Sequence, residues 1–379
     1  EKLREGGHPL PAWIDALYDV GAESLYADGK APTAVAGEMV TPTTDPRAFD
    51  FDILRAADRE VRRNPGASLL DLGDGVLCLE FHSKMNVLGQ DQIGMLMTAC
   101  DMVEKDWRGL VVANQGENFS AGANLMMLMM EAMEGNWEDI DMIVRAFQRA
   151  TDRLEFCGAP VVTAPHGLAL GGGCEVTMGG NAVRAAAETY IGLVEFGAGV
   201  VPAGGGCVRV YRNNVARLTD KTDLQPAMRG AFETIGMAKV ATSAAEAPGL
   251  GYLKTSDSWS MNRELQVADA KDMVVRMAEA GFVAPVPDPA IPVMGRNGVA
   301  LAESVLFNME EAGFVSAHDH KIGGYLALIL SGGDVPGPTT VSHQHMLDLE
   351  REYFMKLMGE RKSLERMQSI LKTGKPLRN

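Results

Sequence analysis

Strands alternating with helices predict a layered α/β fold for the middle of this 379-residue chain. Three observations carry the expectation. Short apolar runs are bounded by glycine turns, amphipathic stretches lie between them, and after about Ala241 the pattern turns mostly helical. Three segments are expected: 1–65, helical and then linker; 66–250, the α/β core; and 251–379, a helical region.

In the first segment "PAWIDALYDVGAESLY" has helical spacing, "ADGKAPTAVAGEMVTPTTDP" reads as loop, and "DFDILRAADREVRRNPG" as a short helix closed at Asn64-Pro65-Gly66. In the second, "ASLLDLGDGVLCLEF" predicts two strands around Gly73-Asp74-Gly75. An amphipathic helix follows at "DQIGMLMTACDMVEKD" and a buried strand at "RGLVVANQG". "ENFSAGANLMMLMMEAMEG" leads from loop into helix, "WEDIDMIVRAFQRATDRLEF" is a further helix, and "GAPVVTAPHGLAL" a strand pair or a strand and bend. In the last segment Leu265, Val267, Met273, Val274 and Met277 share a helix face. Met346, Leu349, Tyr353, Leu357, Leu364, Met367 and Leu371 keep helical spacing up to Gly374 and Pro376.

No apolar run reaches the length of a membrane span. The net charge of −15 argues against a general affinity for nucleic acid or acidic membranes. Five cysteines without CxxC spacing fit reduced, packed thiols of a cytoplasmic protein. The chain opens on Glu1 rather than Met, which reads as a cut inside something longer.

The chemistry concentrates in "GLALGGGCEVTMGG", Gly167 to Gly180. A strand, a glycine loop and a helix start put backbone N–H groups where they can bind negative charge, and glycines let a ligand approach the backbone. "FSAGANL" repeats the arrangement at Phe119 to Gly122. One N–H from each junction can share one oxygen, which makes an oxyanion hole. Glu175 follows the first loop, and Glu195 stands in "EFGAGVVPAGGG". Both have apolar neighbours, so burial would raise their pKa and suit them to proton transfer. A glycine turn with a solvated acid is the simpler alternative for each.

Together "FSAGANL", "GLALGGGCE" and "EFGAGVVPAGGG" resemble the enoyl-CoA hydratase (crotonase) family. Glu195, Gly199, Pro202, Gly205 and Gly206 fall at the offsets of its third motif. The resemblance implies a β-β-α spiral core with a helical C-terminal region. It implies Glu175 and Glu195 as catalytic acids, and Ala123 and Gly172 as donors to the thioester oxygen. Ala121, Gly122, Gly171, Gly173, Met126 and Met127 would contact the acyl-CoA. Having both acids favours hydration of a trans-2-enoyl-CoA in fatty-acid β-oxidation. A double-bond isomerase, or a module that only binds acyl-CoA or a partner, remains the alternative. The family implies a homo-oligomer, trimer or dimer.

Residues 1–65 resemble the end of a 3-hydroxyacyl-CoA dehydrogenase helical domain, which precedes the hydratase in some bifunctional fatty-acid oxidation proteins; thiolase is a partner that context suggests. No strand-linked GxGxxG occurs, so NAD is expected only through a missing dehydrogenase half. Coenzyme A enters as the substrate's thioester, with no cofactor bound.

Some residues depart from the family pattern. Asn124 replaces an Asp, Val194 replaces a Pro, and the helix after Leu125 lacks a phosphate-binding Lys. Met126, Met127, Met129 and Met130 would line an acyl pocket or simply pack. No metal is expected, because His318/His320 and His343/His345 lack zinc-site spacing. His166 and Cys174 read as packed core residues, and "DLEREYFMKLMGERKSLERM" as a solvated face.

Overall fold

A computed structural model describes residues 45–379 without a break and, before them, Gly7, Ala12, Ile14 and two short strands. Apart from Ala12 and Ile14, both helical, the helix expected over 11–26 lies outside the described residues. So does most of the proposed dehydrogenase remnant. The strands are β1 (Ala31–Pro32) and β2 (Met39–Val40), an antiparallel pair inside the expected loop.

The chain divides into compact units at 48/49. The second unit begins with α1 (Phe51–Ala56), capped by the Asp50 carboxylate on the Asp52 and Ile53 amides. Then come β3 (Glu60–Arg63), β4 (Ala67–Asp71), β5 (Val76–Phe81), α2 (Gln90–Asp106) and β6 (Gly109–Val112). After these lie α3 (Leu125–Glu134), α4 (Trp137–Glu155), β7 (Val161–Thr163), β8 (Gly167–Leu170), α5 (Gly172–Met178), β9 (Ala182–Ala186) and β10 (Thr189–Gly192). The next stretch holds α6 (Gly206–Ala216), α7 (Gln225–Gly236), β11 (Val240–Ala241), α8 (Ala247–Leu250), β12 (Ser258–Ser260) and α9 (Gln266–Glu279). The chain ends with β13 (Ile291–Val293), α10 (Arg296–Glu311), α11 (Ala317–Leu330), β14 (Thr339–Val341), α12 (His343–Met358) and α13 (Arg361–Thr373).

Seven strands form the main sheet in the order β12-β9-β7-β6-β5-β4-β3, parallel from β12 to β5 and antiparallel from β5 to β3. A second sheet, β11-β10-β8, pairs β10 with β8 in parallel. Period-two alternation gives the main sheet two buried faces. Leu69, Leu79, Leu110 and Val112 enter the large core with α2 and α4. Leu70, Cys78, Val111 and Val162 pack against Phe51 and Leu54 of α1 and Val267 and Val274 of α9.

Two expected boundaries therefore fall inside this unit. Residues 49–65 belong to the second unit: α1 covers the sheet, and β3, inside the stretch expected as helix, extends it. Past residue 250, β12 closes the far edge of the same sheet. The tail is two helices rather than one, broken at Gly359 and Glu360, with Met346, Tyr353, Leu357 and Met367 buried.

Candidate active site

The two glycine junctions meet. Ser120 bridges to Ala169, which lays the loop before α3 alongside β8. Gly122 has φ +98, and a Cβ there would come within 2.8 Å of the Leu170 carbonyl oxygen, so only glycine fits this approach. A Cβ at Gly172 would lie 3.4 Å from the Ala123 nitrogen, so the two backbones are in contact. Among the described residues neither the Ala123 nor the Gly172 N–H donates to a protein acceptor. Asn124 serves as the cap of α3, its side-chain oxygen accepting from the Met127 amide at 3.1 Å.

Glu175 sits one turn into α5 and is 3% exposed. Its Oε1 accepts from the Gly204 amide at 2.7 Å and the Gly206 amide at 2.9 Å. Burial pushes its carboxyl up to about 7, against the pull of those amides and of Arg209. Glu195 opens the short 3-10 turn Glu195–Ala198 after β10. Its Oε2 is buried without a hydrogen-bond partner. Burial, and then the neighbouring Glu175, hold its carboxyl well above the ordinary range. Gly171, at φ +52, lies beside this acid: a Cβ there would be strained and would stand 3.0 Å from Glu195 Oε1.

A cavity of about 860 Å³ brings together Ala121, Gly122, Ala123, Gly171, Gly172, Glu175 and Glu195, with Met127 in its wall. Two expected residues are not part of it. Met126 is 49% exposed on the outer side of α3. Gly173 is buried against Ser120, where a Cβ would come within 2.8 Å, so its role is close packing. The Ala121 N–H is already given to the Met85 carbonyl at 3.1 Å, which leaves only its carbonyl for a ligand. Met130 is exposed, and Met129 packs against the core.

Sequence reasoning misses several groups around this cavity. Phe147 of α4 lies over Gly172 and Gly204. Ser363 of α13 donates to the Gly199 carbonyl at 2.6 Å, directly behind the Glu195 turn. Arg366, 2% exposed, pairs with Asp319 at 2.8 Å and reaches the Phe196 carbonyl at 3.5 Å. Glu350 of α12 is fully buried. It lies in a stretch that reads as a solvated face, although 346, 350, 353 and 357 form one helical stripe.

His166 is buried with Nε2 2.9 Å from the Gly116 carbonyl, and burial lowers its pKa to about 4. Cys174 is fully buried, and burial pushes its thiol far up, which makes it a poor nucleophile. Asp152, Glu155 and His343 bring potential ligand atoms within 4.8 Å of one another. Cations of the protein already occupy that cluster: Arg209 bonds both carboxylates at 2.8 Å and Arg212 bonds Glu155 at 2.8 Å. Despite burial, these two arginines hold the Glu155 carboxyl down to about 2.

Comparison with known proteins supports the same region. Residues 72–220 match the family model described as enoyl-CoA hydratase/isomerase. The Probable 3-hydroxyacyl-CoA dehydrogenase of Bacillus subtilis (strain 168) is 39% identical over 381 residues, 100% of this chain and 48% of that protein. A protein of Rickettsia felis named as a putative fatty acid oxidation complex trifunctional enzyme is 27% identical over 322 residues, 85% of this chain and 41% of its own length. The chain thus spans about half the length, or less, of the curated relatives it matches. The crystal structure of enoyl-CoA hydratase from Bacillus halodurans superposes with a TM-score of 0.55 at 14% identity, over 80% of this chain and 99% of that one. That likeness establishes the fold.

Proposed function

We propose that this chain hydrates trans-2-enoyl-CoA thioesters, a reading supported by the match of residues 72–220 to the enoyl-CoA hydratase/isomerase family model. One observation carries the reading: two buried carboxyls and two unengaged backbone N–H groups converge on a single cavity. The Ala123 and Gly172 N–H groups would hold the thioester oxygen as it gains negative charge. Such a donor is worth about 2.7–4 kcal/mol in a preorganised site. Backbone donors suit the task because they need no reorganisation.

Glu175 and Glu195 divide the proton work. The charge of Glu175 opposes ionisation of Glu195, so the pair keeps one proton near neutral pH. The ionised acid takes a proton from water as its oxygen bonds to C3. The protonated acid delivers its proton to C2 as the enolate collapses. Met127, Phe147 and the apolar wall would take the acyl chain. The relatives' names support a place in fatty-acid oxidation, within a longer protein whose other part would carry a dehydrogenase and hold NAD. A homo-oligomer belongs to the same proposal.

Loss of enoyl-thioester absorbance tests the reading, with crotonyl-CoA and a long-chain 2-enoyl-CoA as substrates. Wild type is expected to turn over, and Glu175→Gln and Glu195→Gln each to lose about 10²–10⁴-fold in kcat. A wild type that binds acyl-CoA without turnover makes the domain a binding module instead.

A further inference from the structure

The turn from Gly204 into α6 offers its amides alternately to two different buried carboxylates. Gly204 and Gly206 donate to Glu175 Oε1 at 2.7 and 2.9 Å. Gly205 and Val208 donate to Glu350 Oε2 and Oε1 at 2.7 and 2.8 Å. Neither acid holds the turn alone, and a helix N-terminus that fixes one fixes the other. A cap needs only one carboxylate, and burying a second costs free energy unless its position does something. We propose that Glu350 is a positioning residue for Glu175. It clamps the Gly205 and Val208 amides so that those of Gly204 and Gly206 meet the catalytic acid.

The proposal rests on the hydratase reading of Glu175. Charges facing Glu350 come from each packed element: Glu175 on α5, Glu195 on its turn and Arg209 on α6. Arg209 is itself engaged by Asp152 and Glu155 of α4, and Asp152 also meets His343 of α12. Arg209 is therefore shared among acids rather than held by Glu350 alone. Burial and the adjacent Glu175 raise the Glu350 carboxyl, while its two amides favour the ionised form.

Carboxyl-¹³C glutamate NMR across pH reads the surroundings of Glu175 without any turnover, with Glu175→Gln assigning the resonance. In wild type the Glu175 signal is expected to titrate in two steps, as one of an interacting set. In Glu350→Gln its main midpoint should move up, because the Gly204 and Gly206 amides that favour ionised Glu175 are no longer held in place. In the hydration assay the same variant should lose about 10–100-fold in kcat with KM within about threefold. Glu350→Asp, which keeps both acceptor oxygens on a shorter side chain, should recover part of the midpoint and part of kcat. A Glu350→Gln protein with wild-type Glu175 titration and kcat overturns the proposal and leaves Glu350 a simple helix cap. If neither variant folds, Val208→Pro removes one Glu350 donor within the first turn of α6, and wild-type kcat and Glu175 titration in that protein overturn the proposal. An inert wild type whose Glu175 midpoint still shifts in Glu350→Gln overturns the hydratase reading and keeps the clamp.

Discussion

Burial suits the Glu175 carboxyl to the proton transfer proposed for it. In the unfolded chain it ionises near 4.5, whereas in the fold it keeps its proton up to about 7. A group protonated in the fold and ionised in the unfolded chain favours unfolding as pH rises between those values. Glu175→Gln removes that penalty. Its stability advantage over wild type should therefore widen by roughly 2–3 kcal/mol from about pH 4.5 to about pH 7, read by urea unfolding at several pH values. Gly122→Ala should cost about 1–3 kcal/mol and depress kcat, because φ +98 and the Leu170 carbonyl leave no place for a methyl group. A thermal melt and the hydration assay check both effects. At this scale the sequence disclosed the two acids and the glycines, which stand in dense local motifs. It concealed Glu350, because the charged residues around it, Asp348, Arg351 and Glu352, all reach solvent and mask the one buried member.

The elements that hold the site come from far along the chain. α5 and the turn after β10 present the acids, while α12 and α13 brace them from behind. Ser363→Ala should free the Gly199 carbonyl and lower kcat more than it lowers the melting temperature. Arg366→Met leaves Asp319 buried without its partner and should cost about 3–5 kcal/mol, seen as a lower urea midpoint. Equal activity in a stable Ser363→Ala protein would show that α13 packs near the Glu195 turn without fixing it. Periodicity announced these tail helices but not their purpose. Contacts between Ser363 and Gly199, or Glu350 and Gly205, span more than a hundred residues, and no local pattern encodes a long-range hydrogen bond. The break at Gly359 was also obscured, since apolar spacing continues across it.

At the scale of the molecule, one sheet with two buried faces joins everything from Phe49 to the last helix. Leu79→Ala on the large-core face should cost about 2–5 kcal/mol, and Val111→Ala on the other face somewhat less. Both should shift a single cooperative melt, since the two faces share strands. Alternating strands and helices made this architecture legible in the sequence. Its edges were not, because β3 and β12 carry weak, partly polar strand patterns and gain their pairing from neighbours. The cavity, its two acids and its two free N–H groups together define the central claim, that this domain adds water to an enoyl thioester. Mass spectrometry of the product formed in H₂¹⁸O tests it most directly. The account predicts one ¹⁸O in a 3-hydroxyacyl-CoA from wild type, and little or none from Glu175→Gln or Glu195→Gln. An unlabelled product with a relocated double bond would contradict it and assign the same two acids to isomerisation.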